Sequence, residues 1–205
     1  CAAVPSELLG SELFGHERGA FTGAIQRKIG QIERTDGGTL FFDEIDELPS
    51  SLQFRLLHFM GSGEFERVGG SERISADVRI VAASHLGTAA LANKLRRDFF
   101  ERLSVITLEL TPLRERKDDI PPLVDYFLAE RAKEHNRAIP TLTPEGMDAL
   151  MAYDWPSNVR ELVRAIERAV VLCDEATIGV KHLPNVLVEA VQRKSSMKQA
   201  EVSET

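Results

Sequence analysis

The sequence predicts an α/β domain built on a parallel sheet, followed by a small all-helical domain. Three observations carry this. Short, continuously apolar runs at Thr39-Leu40-Phe41-Phe42, at residues 78–83 and at residues 105–110 suit buried parallel strands. Segments of helical period separate them, the alternation that places helices on the faces of a parallel sheet. After Leu110 no convincing strand follows, only amphipathic stretches.

In chain order, residues 6–14 read as a short amphipathic helix with Leu8, Leu9 and Leu13 apolar among polar neighbours. Residues 15–30 are rich in glycine and polar side chains and read as a loop. The first strand ends in Asp43-Glu44-Ile45-Asp46. Pro49 opens a helix carrying Leu52, Leu56, Phe59 and Met60, which Gly61 and Gly63 end. Residues 78–83 form the second strand, residues 95–103 a short charged helix, and residues 105–110 a third strand stopped by Pro112. Then come a helix from Asp118 to about His135, a helix capped by Thr143 with Pro144 in its first turn, and a helix opened by Ser157-Asn158. The apolar stripe of the last is Val159, Leu162, Ile166, Ala169 and Val170. The expected organisation is a partial α/β core over residues 1–112, a helical unit over 113–184 and a polar, serine-rich tail or linker over 185–205.

The 205 residues are 43% hydrophobic, enough for a sizeable core, and the net charge of −7 argues against a DNA-binding module as the main content. Cys1 and Cys173 show no metal or redox spacing, which suits a reducing cytoplasm. No apolar run is long enough to cross a bilayer, and these residues read as carrying no signal peptide. The chain starts at Cys1 with no charged start region, which reads as a cut edge.

Several residues invite chemistry, each with a plainer alternative. Asp43 and Glu44 stand where ligands bind in open α/β sheets, at the carboxyl end of a strand. Asp43 could hold Mg²⁺, directly or through water, and Glu44 could polarise an attacking water. The alternative is a solvated acidic turn, since Asp46 and Glu47 follow. In Gly19-Ala20-Phe21-Thr22-Gly23-Ala24, two glycines flank an aromatic and a threonine; an exposed Phe21 would mark a contact site, whereas an ordinary loop would tuck it into the core. Arg96 and Arg102 could stabilise charge on a phosphoryl group across a subunit boundary or be simply solvated. Arg160, in the first turn of its helix, is poorly placed against the helix dipole unless a phosphate or a neighbouring acid offsets it. The five histidines lack HExxH-type spacing; His85 stands out only by position, beside Ser84 at the end of the second strand.

The order of these motifs is more specific than any one of them. Glu12-Leu13-Phe14-Gly15-His16-Glu17 followed by Gly19-Ala20-Phe21-Thr22-Gly23-Ala24 resembles the hallmark of the bacterial enhancer-binding proteins, the sigma-54-dependent transcriptional activators of the AAA+ ATPase class. Gly37-Gly38-Thr39-Leu40-Phe41-Phe42-Asp43-Glu44-Ile45 resembles their Walker B strand, and Glu66-Arg67-Val68-Gly69-Gly70 the second loop lining their central pore. Residues 77–85 are similar to their sensor I strand. Arg96 and Arg102 fall on paired arginine-finger positions, and Trp155-Pro156-Ser157-Asn158-Val159-Arg160-Glu161-Leu162 resembles sensor II. The resemblance runs from Cys1 to about Pro184.

The resemblance implies an AAA+ P-loop-type sheet with a helical lid, assembled as a homo-oligomeric ring, a hexamer, with ATP between subunits. It implies that Asp43 helps place Mg²⁺ and that Glu44 orients water. Arg96 and Arg102 reach the neighbour's nucleotide, Ser84 and His85 sense the γ-phosphate, and Arg160 reports it to the lid. Gly19, Ala20, Phe21, Thr22, Gly23 and Ala24 press on sigma-54 RNA polymerase holoenzyme and remodel the closed promoter complex. Promoter or enhancer DNA would be bound through a domain not present here. The family's first strand and its GxxxxGK-type Walker A loop have no counterpart within these residues, and His85 stands where asparagine is common. A truncated, non-hydrolysing regulator is the competing reading; a different AAA+ machine is a third, disfavoured by the loop at residues 19–24.

Overall fold

A computed structural model describes residues 6–136 and 138–189. The chain divides into two compact units, Cys1–Leu108 and Glu109–Thr205. Cys1 and the part of the expected tail beyond residue 189 lie outside the described residues. The tail expected from residue 185 is corrected at its start: residues 185–189 are helical, and Leu187 is buried in the core of the second unit.

In the first unit, helix α1 (Ser6–Phe14) and the one-turn α2 (Gln31–Arg34) precede strand β1 (Thr39–Phe42). Strand β4 (Arg79–Ala82) pairs with β1 in parallel, Phe41 opposite Val81 and Phe42 opposite Ala82. Between them run α3 (Ser50–Ser62) and an antiparallel pair, β2 (Glu64–Glu66) with β3 (Arg73–Ser75), the latter not foreseen from sequence. Strand side chains alternate across the sheet. Phe42 is buried in a core with Leu13, Phe14, Ile32, Leu56, Phe59 and Phe99, and Leu40, Ile80 and Ala82 pack against it, whereas Phe41 and Val81 face out.

Two expectations are corrected here. Residues 105–110 form no strand: none of the described strands pairs with them, and Val105, Ile106, Leu108 and Leu110 are exposed. A continuously apolar strand is stable only when neighbours satisfy its backbone and cover its faces. The charged helix expected over residues 95–103 begins two residues later, as α5 (Arg97–Leu103), and a helix that was not expected, α4 (Thr88–Lys94), precedes it; Leu95 and Arg96 between them have an extended backbone. Leu95 is buried at the break, and the Arg96 N–H donates to the Gln53 side chain at 2.9 Å instead of to a helical carbonyl.

The second unit packs α6 (Ile120–Glu134), α7 (Pro144–Ala152) and α8 (Asn158–Leu172) around Trp155, Leu113, Ile120, Leu150, Leu162 and Ile166. The Thr143 hydroxyl accepts the Gly146 N–H at 3.1 Å and caps α7, satisfying one of the orphan donors of its first turn. The unit is helical but not wholly so. Strands β5 (Thr141–Leu142) and β6 (Thr177–Ile178) form a two-residue parallel ladder, too short to show as a sequence period.

Candidate active site and contact loops

The carboxyl ends of β1 and β4 lie side by side, tied by the Ala83 N–H to the Phe42 carbonyl at 2.8 Å and the Ile45 N–H to the Ala83 carbonyl at 3.0 Å. This brings the sequence-predicted Asp43 and Glu44 to the same sheet edge as Ser84 and His85. Asp43 is exposed. Glu44 holds a left-handed backbone, φ 53° and ψ 56°, which costs a residue with a side chain about 1–3 kcal/mol and persists only where surroundings enforce it. Ile45, 1% exposed, and Leu48 anchor the turn that follows.

Asp46, read from sequence only as part of an acidic turn, is the buried carboxylate of the site. Its side chain is fully removed from solvent, accepts from Ser84 Oγ at 2.6 Å and from Lys94 Nζ at 3.1 Å, and has His85 Nδ1 at 4.0 Å. Burial works against its charge, but the Ser84 and Lys94 hydrogen bonds outweigh it and hold the carboxyl below the usual aspartate range. Lys94 also donates to Glu47 at 2.6 Å, and that bond, with Asp46 next, holds its ammonium above the usual lysine range. Gln53, 3% exposed, donates to the Leu48 carbonyl at 2.7 Å and accepts from Arg96 N. One signal was available for Asp46: it lies between Ile45 and Leu48, both apolar. None marked Lys94 or Gln53.

Arg96 caps the start of α5 and Arg102 lies in its last turn, both exposed, with buried Phe99 pinning the helix between them. Arg96 makes a two-point ion pair with Asp98, Nη2 to Oδ2 at 2.7 Å, and its guanidinium lies 5.5 Å from the Phe54 ring centroid. Arg102 donates to the Met60 carbonyl at 2.8 Å. Arg160 stands exposed in the first turn of α8, with no ion pair among the described residues. The neighbouring Glu161 instead accepts from the Ser157 N–H and the Tyr153 hydroxyl. Arg160 belongs to the second unit, the other candidates to the first.

The six-residue loop is closed at its neck by the Gly19 N–H donating to the Ala24 carbonyl at 2.8 Å. Phe21 is 38% exposed and stands edge-on to His16, 5.0 Å between ring centroids; His16 is buried and hydrogen-bonded to Ser11 at 2.7 Å. Phe21 is thus neither free nor tucked into the core. Beside the neck lies the second loop. Val68 N donates to the Gly15 carbonyl and Glu17 N to the Val68 carbonyl, at 2.9 and 3.0 Å. Arg67, 4% exposed, reaches Glu33, Glu17 and Glu72 at 2.7, 3.0 and 3.4 Å. Its position in a quoted motif was legible, its burial was not.

Among the described residues no three or more His, Cys, Asp or Glu side chains gather to hold a metal ion, and no helix is long and apolar enough to cross a membrane.

An acidic turn closing one parallel strand, a polar pair closing the next, an arginine-bearing helix and a separate helical unit define an AAA+ module. The chain belongs to the sigma-54 interaction domain family: that family's model matches residues 1–109, and the model of the AAA+ ATPase lid domain matches residues 114–200. It is 47% identical over 186 residues to the transcriptional regulatory protein ZraR of Klebsiella oxytoca, covering 90% of this chain and 42% of ZraR. It is 51% identical over 174 residues to the DNA-binding transcriptional activator HyfR of Escherichia coli, covering 84% and 26%. Among solved structures it is similar to NtrX from Brucella abortus in complex with ATP, with TM-score 0.81 and 31% identity over 91% of this chain and 41% of that one. The chain thus spans less than half the length of these relatives.

Proposed function

We propose that these residues are the ATP-driven part of a sigma-54-dependent transcriptional activator, working in a homo-oligomeric ring. The observation that carries the reading is Glu44. A carboxylate held in a left-handed turn at a strand's carboxyl end, beside the ends of β4, is placed to orient an attacking water. Asp43 fits a Mg²⁺ held through water. Magnesium in nucleotide sites takes only one or two carboxylates and completes its shell with phosphate oxygens and water, so a single exposed aspartate suffices. The fit to the triphosphate is partial, because these 205 residues contain no GxxxxGK cradle.

Each residue then has a task. Glu44 accepts hydrogen bonds from the water and fixes its approach. Arg96 and Arg102, exposed on α5, reach across to the adjoining subunit and offset developing negative charge there. Ser84 and His85 register the γ-phosphate at the end of β4, and Arg160 carries the same contact to the lid. The loop from Gly19 to Ala24 presents Phe21 and Thr22 to sigma-54, and the second loop braces the chain entering it through the backbone bonds of Val68 to Gly15 and Glu17. NtrX in complex with ATP, a relative in structure, supports the nucleotide assignment.

The test uses the full-length product of the gene. It is expected to hydrolyse ATP, with Glu44→Gln lowering turnover at least a hundredfold, and to form open promoter complexes with sigma-54 holoenzyme. Thr22→Ala should lower open-complex formation far more than it lowers turnover. A full-length product that neither binds nor hydrolyses ATP supports the non-hydrolysing regulator instead, and an in-frame GxxxxGK codon run ahead of Cys1 would argue against it. The 205 residues alone are expected to show little or no turnover.

A further inference from the structure

Asp46 has no task in the scheme above, yet its burial is expensive for a carboxylate unless it is fully paired. It is claimed from two directions: by Ser84 Oγ at the end of β4 and by Lys94 Nζ at the last residue of α4. Lys94 stands two residues before Arg96, and Asp46 two residues after Glu44. A second link runs alongside. The buried Gln53 amide donates to the Leu48 carbonyl at 2.7 Å and accepts the Arg96 N–H at 2.9 Å. Two independent connections therefore join the turn that carries Glu44 to the helix break that carries Arg96. Hydrogen-bonded charge fixes distance and direction between its partners, where an apolar contact would let them slide.

We infer that Asp46, held by Ser84 and Lys94, is a positioning residue that sets the water-orienting Glu44 and the trans-acting Arg96 of one subunit against each other. This rests on the ATPase reading above. In a ring, Glu44 serves the nucleotide at one interface and Arg96 the nucleotide at the next. A brace within the subunit thus couples consecutive sites. Ser84 enters the same brace, because its hydroxyl proton points to Asp46 while its oxygen accepts the Leu86 N–H at 3.1 Å. A change at the end of β4 is thereby felt at both Glu44 and Arg96.

The experiment compares full-length wild type with Asp46→Asn, Lys94→Met, Lys94→Arg and the Asp46→Asn/Lys94→Met double variant. Asn keeps the shape of Asp and an acceptor for Ser84, and thermal melts show whether each variant is folded. Turnover should fall about tenfold in Asp46→Asn and Lys94→Met while ATP affinity stays within about twofold, the signature of lost positioning and not of lost binding. Lys94→Arg should retain most of the turnover, and the double variant should be no worse than the worse single one. Amide hydrogen exchange at Ile45 and Arg96 should quicken together in Asp46→Asn. Unchanged turnover, losses that multiply in the double variant, or exchange altered at one end alone would overturn the inference. A wild type without turnover would overturn the ATPase reading, and the exchange measurement would still decide whether the brace exists.

Discussion

Arg67 Nη2 lies 2.7 Å from both carboxylate oxygens of Glu33, a contact that ties the second loop to helix α2. The guanidinium is nearly buried, and although burial works to lower its pKa, hydrogen bonds from it to Glu33 and Glu17 raise it above the usual arginine value. Removing it leaves the partly buried Glu33 and Glu17 without that partner around a vacated site. Arg67→Met should lower the unfolding free energy by about 3 kcal/mol, the scale for breaking a buried pair on one side. Urea midpoints of wild type and variant, compared at constant m, measure it; a midpoint unmoved by the substitution would contradict the packing described.

Gly69 meets the first loop at close range. Its φ is 75°, and a Cβ built there would lie 2.6 Å from the Ala20 Cβ and 2.9 Å from its Cα. Gly69→Ala adds left-handed strain to a backbone clash and should destabilise by roughly 1–3 kcal/mol. The clash pushes the neck of residues 19–24 and the second loop apart, so sigma-54 binding should weaken along with thermal stability. Equal sigma-54 affinity in wild type and variant would show that the two loops move independently.

Asp46 predicts an acid sensitivity of definite sign. Burial opposes its charge, the Ser84 and Lys94 hydrogen bonds outweigh burial, and the folded pKa lies below the unfolded one. Such a group stabilises fully above its unfolded value, about 3.9, and loses that contribution as pH falls through the folded value. The stability advantage of wild type over Asp46→Asn should therefore be constant from pH 7 to about pH 5 and shrink below about pH 4. Denaturant titrations at pH 7, 5 and 3 decide the point; an advantage that grew toward acid would have the wrong sign.

Thr143 caps α7 with a single side-chain bond to the Gly146 N–H. Thr143→Ala should cost about 1 kcal/mol and Thr143→Ser much less. Because the cap lies in the unit from Glu109 onward, hydrogen exchange should quicken in α7 and leave β1 and β4 unaffected.

The placement of much of the candidate site was legible because its backbone context is local. An apolar strand that stops at Asp43-Glu44 must leave those carboxylates at its end, whatever surrounds it. Thr143-Pro144 must start a helix for the same kind of reason: one residue supplies the acceptor and the next a preset φ. The failures are equally physical. Residues 105–110 have strand composition, but a strand is a property of a pair, and composition cannot state whether a partner is present. The helix expected over residues 95–103 begins only at Arg97, and Gln53, more than forty positions away, takes the amide of Arg96 ahead of it.

By itself the sequence determined the two parallel strands, the ends where Glu44 and His85 stand, the glycine-flanked loop and the change to a mainly helical unit. All of these follow from short-range period, capping and turn chemistry. Only the tertiary structure decided which charges are structural. Asp46 and Arg67 look like ordinary surface residues in a charged chain, and they become fixed points because folding removes them from water beside partners distant in sequence. A charge acquires that role from its surroundings, through the cost of desolvation and the geometry that offsets it, and surroundings are what a linear chain does not display.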